Sequence, residues 1–198
     1  MKTDIVVVGA SSGGVDALQQ FAHGLPADLP AAVFVVLHML PWISSSLPEI
    51  LSAAGPLPAG HPQSGQRFEP GRIYVAPPDR HLLLEDDRVM LWRGPKENRH
   101  RPAVNALFRS AAVAHRGRVA GVVLTGALDD GSTGLWWVKR FGGVAIVQDP
   151  EEARCPEMPQ SALEHVNVDY VERVARMGRL LSRLTNGAGL TSMKQDKE

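Results

Sequence analysis

Only one cysteine, Cys155, occurs in the chain. No internal disulfide can form, which fits a reducing compartment. Its setting, a proline-containing loop, reads as a place for a small structural side chain and not for a nucleophile. Net charge is also missing: 21 basic residues balance 21 acidic ones. No global field therefore favours nucleic acid or an anionic membrane. Long apolar runs are absent as well. The N-terminus offers one lysine and then Ile5 to Val8 before glycine intervenes, too short for a signal-peptide core and far from a membrane span of about 20 residues. The expected location is cytoplasmic, with neither nucleic-acid binding nor membrane insertion. The seven histidines show no H-x-x-x-H or paired-cysteine spacing, so neither metal nor cofactor is expected.

What is present is an ordinary globular composition, 44% hydrophobic over 198 residues, enough for a core in one domain. Residues 5–8, 32–37 and 119–125 are continuously apolar and β-branched, as strands buried on both faces by helices should be. A fourth such run, 143–148, follows a Gly-Gly pair. Helices are expected from Gly14 to His23, Ser44 to Ala54, Pro102 to His115 and Ser132 to Phe141. The alternation implies an α/β domain with a mainly parallel sheet. Between Arg72 and Trp92 the rhythm changes to three short strands, with Asp86-Asp87 as a hairpin turn. Glu85, Asp86 and Asp87 read as a solvated turn and not a metal site. Apolar spacing predicts a packing helix over 171–184. The domain is thus expected to span 1–184, with a disordered tail over 185–198.

Open parallel sheets bind ligands beyond the carboxyl ends of their strands. There the sequence places Ser11 and Ser12 after the first strand, His38 after the second, and Asp129 and Asp130 after the third. Serine, histidine and aspartate are the set required for acyl transfer. A hydroxyl is a poor nucleophile until an imidazole takes its proton, and a carboxylate orients that imidazole. The chain order matches no familiar triad, but triads are defined by geometry. Each residue also has a structural reading: Ser12 as a helix cap, His38 as a packed strand-end residue, Asp-Asp-Gly as a turn. The Gly-rich run GASSGG invites comparison with nucleotide-binding loops. It has Ser11 where G-x-G-x-x-G needs glycine, and it lacks the Gly-Lys-Ser/Thr of a Walker motif.

The blocks VVVGASSGGVDAL, VVLHM, PGRIYVAPPDRHLLL, NRHRPAVNALF, GVVLTGALDDGSTGL and MPQSAL run in the order found in CheB-type chemotaxis methylesterases. Across residues 4–182 the chain resembles their catalytic domain. The resemblance implies a Rossmann-like doubly wound sheet with an added antiparallel hairpin. It implies hydrolysis of γ-glutamyl methyl esters on methyl-accepting chemoreceptors, in some members with glutamine deamidation. It assigns Ser11 as nucleophile, His38 as base and Asp130 as its orienting carboxylate, leaving Asp129 a bystander. Backbone amides at Ser12 and Ala127 become oxyanion-hole candidates. Arg101 is a candidate for an acidic receptor surface or for a structural ion pair, and Met158 is a further substrate-binding candidate.

The chain departs from the family pattern around the pocket. Leu37 stands where glutamine is usual, Ala127-Leu128 replaces Met-Gly, and Ala103 and Asn105 replace a serine and an aspartate. DPEEARCPE precedes Met158. No triad member is lost, so the departures bear on substrate more than on chemistry. Many members carry an N-terminal receiver domain. Here the fold starts near residue 4, so control is expected to be absent or to come from a separate regulator. Two alternatives remain open: a catalytically silent signalling module of the same fold, and an esterase for a non-chemotaxis protein.

Overall fold

The computed structural model describes residues 2–187. Seven parallel strands form the central sheet, in the order β3-β4-β2-β1-β7-β8-β9. At its middle lie β1 (Ile5–Ala10), flanked by β2 (Ala32–Leu37) and β7 (Val119–Val123). On the β2 side follow β4 (Arg72–Val75) and the two-residue β3 (Ala59–Gly60). On the β7 side follow β8 (Val144–Gln148) and β9 (Tyr170–Glu172). Every residue of β1 and β2 is buried, as their unbroken apolar sequences require.

The pleat sends alternate side chains to two separate cores. Val6, Val8, Val33 and Val35 face α1 (Gly14–Gly24), α2 (Leu47–Ala54) and α6 (Val174–Thr185). Val7, Phe34 and Val36 face α3 (Val104–His115), α4 (Ser132–Arg140) and α5 (Glu157–His165). Helix α1 illustrates how each layer is held. Its spacing puts Leu18 and Phe21 fully inside, each contributing about 2–3 kcal/mol of burial. The antiparallel hairpin β5 (His81–Glu85) and β6 (Arg88–Trp92) turns at Asp86-Asp87 and lays Leu82, Leu84 and Val89 on the α3 side.

The doubly wound fold and the added hairpin match expectation. Three short elements were not anticipated: β3, β9 and α5. The region expected as one helix over 171–184 instead begins with β9 at the sheet edge, and α6 starts at Val174. Thr185, placed in the expected tail, is the buried last residue of α6; residues 188–198 of that tail lie outside the described residues. No helix among the described residues is long and apolar enough to cross a membrane.

Candidate active site

The chain leaves β1 and first returns to the sheet on one side of it, as β2, and later on the other, as β7. The carboxyl ends of these three strands therefore form a switch point, the place where open α/β sheets bind their ligands. The register pairs Ala10 with Leu37, so Ser11 and His38 emerge side by side. The His38 N–H donates to the Ala10 carbonyl at 3.2 Å, and the Ser11 N–H to the Thr125 carbonyl at 3.0 Å. Ser11 is thus tied to the strand ends on both sides.

The turn after Ser11 is built by Gly13, whose φ of 77° is left-handed and costs a side-chain-bearing residue about 1 kcal/mol or more. Gly13 is the residue capping α1, and no side chain caps that helix. Ser12 is therefore not the cap its position suggested; it is exposed in the turn. Its carbonyl accepts the Thr125 hydroxyl at 2.9 Å. The same hydroxyl oxygen accepts the Cys155 N–H at 2.9 Å, and Gln148 Oε1 accepts the Thr125 N–H at 2.7 Å. Thr125 and Gln148 anchor the serine turn to β7 and β8. Reading the sequence for reactive groups passes over them, because neither does chemistry.

His38 and Asp130 meet. Nε2 of His38 donates to Asp130 Oδ2 at 2.7 Å, with both side chains almost wholly buried. The carboxylate also receives two backbone N–H groups from the first turn of α3, Val104 at 2.7 Å and Asn105 at 3.1 Å. A helix N-terminus favours a negative charge there. Nε2 donating to the carboxylate leaves Nδ1 as the nitrogen that is unprotonated in a neutral imidazole, and Nδ1 is buried with no hydrogen-bond partner among the described residues. A face-to-face stack covers the ring: His100 lies parallel to His38, with centroids 3.6 Å apart and planes 4° from parallel.

Asp129 is exposed, and its carbonyl, not its carboxylate, is used, accepting the Ser132 N–H at 3.1 Å. Between Gly126 and Asp130 the chain carries Ala127, half-buried, and Leu128, exposed at a φ of 66°. Glu157 holds this loop, its carboxylate accepting the Leu128 N–H at 2.7 Å. Met158 is fully buried. Its sulfur packs on Gly126, so close that a side chain at 126 would collide with it and with Ser11 Cβ. Met158 thus supports the floor beside Ser11.

Arg101 is committed elsewhere. Its guanidinium bonds Asp79 through two nitrogens and the Gly94 carbonyl through the third, and its side chain is 17% exposed. Of its two readings, the ion pair is the one the structure contains. That guanidinium holds the Asp79 carboxyl below the usual carboxylate range. Asp87 of the hairpin turn faces Arg67 at 3.2 Å. Among the described residues no three His, Cys, Asp or Glu side chains gather as a metal site.

Comparison with known proteins agrees with this architecture. The sequence model of a family described as CheB methylesterase matches residues 6–181. A relative from Leptospira interrogans is 34% identical over 185 residues, covering 93% of this chain and 96% of its own. A relative from Photorhabdus laumondii, named protein-glutamate methylesterase/protein-glutamine glutaminase, is 35% identical over 92% of this chain, which spans 53% of that longer protein. The crystal structure of the Thermotoga maritima CheB methylesterase catalytic domain superposes with a TM-score of 0.87 at 34% identity, covering 93% of this chain and all of that one. With nearly its whole length matched in sequence and in fold, the chain belongs to the CheB methylesterase family.

Proposed function

We propose that the chain is a serine esterase that hydrolyses γ-glutamyl methyl esters on methyl-accepting chemoreceptors. The observation that carries this is the buried 2.7 Å His38–Asp130 pair beside Ser11, with Nδ1 of the imidazole free of any hydrogen bond among the described residues. In this reading Ser11 Oγ attacks the ester carbonyl while His38 Nδ1 takes its proton. The imidazolium that results is stabilised by Asp130, itself fixed by the α3 amides. The N–H groups of Ser12 and Ala127 are the proposed donors to the tetrahedral oxyanion.

Collapse of that intermediate breaks the ester C–O bond, and His38 returns the proton to the departing methoxide, releasing methanol. Water then attacks the acyl-serine with His38 again as base. The bond to Ser11 Oγ breaks, His38 returns the proton to that oxygen, and the receptor glutamate is freed as its carboxylate. An amide could enter the same acyl-serine, which accords with the paired esterase and glutaminase name of the relatives. Ala127 and Leu128 directly follow Gly126, which lies against Ser11 Cβ, so they are where a preference between the two leaving groups would be set.

The experiment is methanol release from methylated chemoreceptors by the purified protein, with Ser11→Ala as control. Release that depends on Ser11, together with stoichiometric labelling of Ser11 by a fluorophosphonate, is the expected result. No methanol and no labelling would instead identify a silent module of the same fold. Labelling without methanol release from receptors would point to an esterase for a different protein.

A further inference from the structure

We propose that His100 is a positioning residue for the catalytic base: its ring is a flat shelf that holds the plane of His38, so that Nε2 stays on Asp130 while Nδ1 is presented to Ser11. The role rests on the esterase reading above. An imidazole held by one hydrogen bond alone can swing about it, and a transition state tolerates little of that. Stacking across the whole ring face at 3.6 Å removes this freedom without consuming either nitrogen.

The segment carrying His100 is held on both sides of the ring. Glu97 and His100 exchange two backbone hydrogen bonds, 3.1 and 2.8 Å, closing a two-residue turn. Both of its central residues, Asn98 and Arg99, have positive φ, 45° and 70°. Left-handed backbone at a non-glycine residue costs about 1–2 kcal/mol, and here it falls one residue before the stacked ring. The near arm of the turn is clamped to α3: Arg109 grips Glu97 bidentately at 2.7 and 3.0 Å. The far arm is clamped by Arg101 on Asp79. Two residues beyond Pro102, the same chain supplies the Val104 N–H to Asp130. One continuous stretch, 97–105, therefore places both the carboxylate and the shelf around His38.

The shelf must be uncharged, since a second cation over His38 would oppose the imidazolium formed in the reaction. Burial is the main influence holding the His100 imidazole below its ordinary pKa, with His38, Lys96 and Arg99 pushing the same way and Asp130 opposing. His100 is accordingly neutral at pH 7.

The test compares His100→Ala with His100→Phe, which keeps a flat ring and cannot titrate. Three readings are taken: kcat and KM for receptor methyl-ester hydrolysis, the rate of Ser11 labelling by a fluorophosphonate, and the proton NMR signal of the His38 Nε2–H facing Asp130. His100→Ala is expected to lower kcat and labelling about 10- to 100-fold, leave KM within a few-fold, and broaden the Nε2–H signal. His100→Phe is expected to recover most of each. Unchanged kcat and signal in His100→Ala, or a Phe variant as impaired as Ala while equally folded, would overturn the shelf. The NMR reading needs no turnover. If wild type neither labels nor releases methanol, the esterase reading fails while the effect of His100 on His38 is still read directly.

Discussion

Asn105 and Asp130 brace each other across the entrances of two helices. The Asn105 N–H donates to Asp130 Oδ1 at 3.1 Å, and Asn105 Oδ1 accepts the N–H groups of Gly131 and Gly134 at 3.0 and 2.7 Å. For this the Asn105 side chain uses only its carbonyl oxygen. Asn105→Ala leaves two buried amides at the start of α4 without acceptors, a loss of about 2–3 kcal/mol. Chemical denaturation should show that loss, and esterase activity should fall further than stability does, because Asp130 sits one residue before Gly131.

Substitution of the proposed triad should separate the two neighbouring aspartates. Ser11→Ala and His38→Ala are expected to abolish ester hydrolysis with the fold retained by circular dichroism. Asp130→Asn should lower kcat steeply, on the order of 10⁴-fold by comparison with other triads. Asp129→Asn should change it only a few-fold, since the Asp129 side chain is exposed and its backbone carbonyl is what the fold uses. If the two aspartates exchanged behaviour, the assignment of the third member would be wrong.

Much of this placement was legible because strands buried on both faces announce themselves as unbroken apolar runs. Once β1, β2 and β7 are parallel neighbours, Ser11, His38 and Asp130 must share one edge. In sequence, Ser11 keeps the alternation of Ile5 and Val7, and His38 that of Phe34 and Val36, the strand residues that face the α3 side. The elements that escaped notice had weak local signals. β9 is three residues long, and Val171 and Val174 stand at helical spacing, which extended the apparent helix backward into it. α5 carries Pro159 in its first turn, where a missing N–H is harmless but the sequence reads as loop. His100 was hidden for a different reason. Its contact with His38 spans 62 positions along the chain and depends on an Asn-Arg turn, a pair with no glycine to mark left-handed backbone.

Stability should fall on the acid side for a reason unrelated to catalysis. His115, buried at the end of α3 against Phe68, has its imidazole held below the ordinary value of 6.5, chiefly by burial and then by the Arg118 cation. The unfolded chain takes up a proton near pH 6.5 while the native state still refuses it. The unfolded state therefore binds more protons in that window, and stability declines as pH drops below about 6.5. His100 acts in the same direction. The melting temperature should be lower at pH 5.5 than at pH 7.5, and His115→Leu should flatten the difference. Parallel pH profiles for wild type and variant would show that His115 is not the source.

Arg101 offers a test of structure against recognition. Its guanidinium is spent on Asp79 and the Gly94 carbonyl, so its contribution should run through Asp79. Arg101→Ala unclamps the segment that carries His100 and the α3 N-terminus, and kcat should fall with KM little changed. Asp79→Asn should reproduce part of that loss, and the double variant should be no worse than Arg101→Ala, the non-additivity expected of two members of one contact. A residue that gripped an acidic receptor surface would behave otherwise. Its loss would raise KM for the receptor, spare the reaction with a fluorophosphonate, and add independently to Asp79→Asn. The fluorophosphonate labelling rate decides between them, because that probe carries no acidic surface: it should slow in Arg101→Ala.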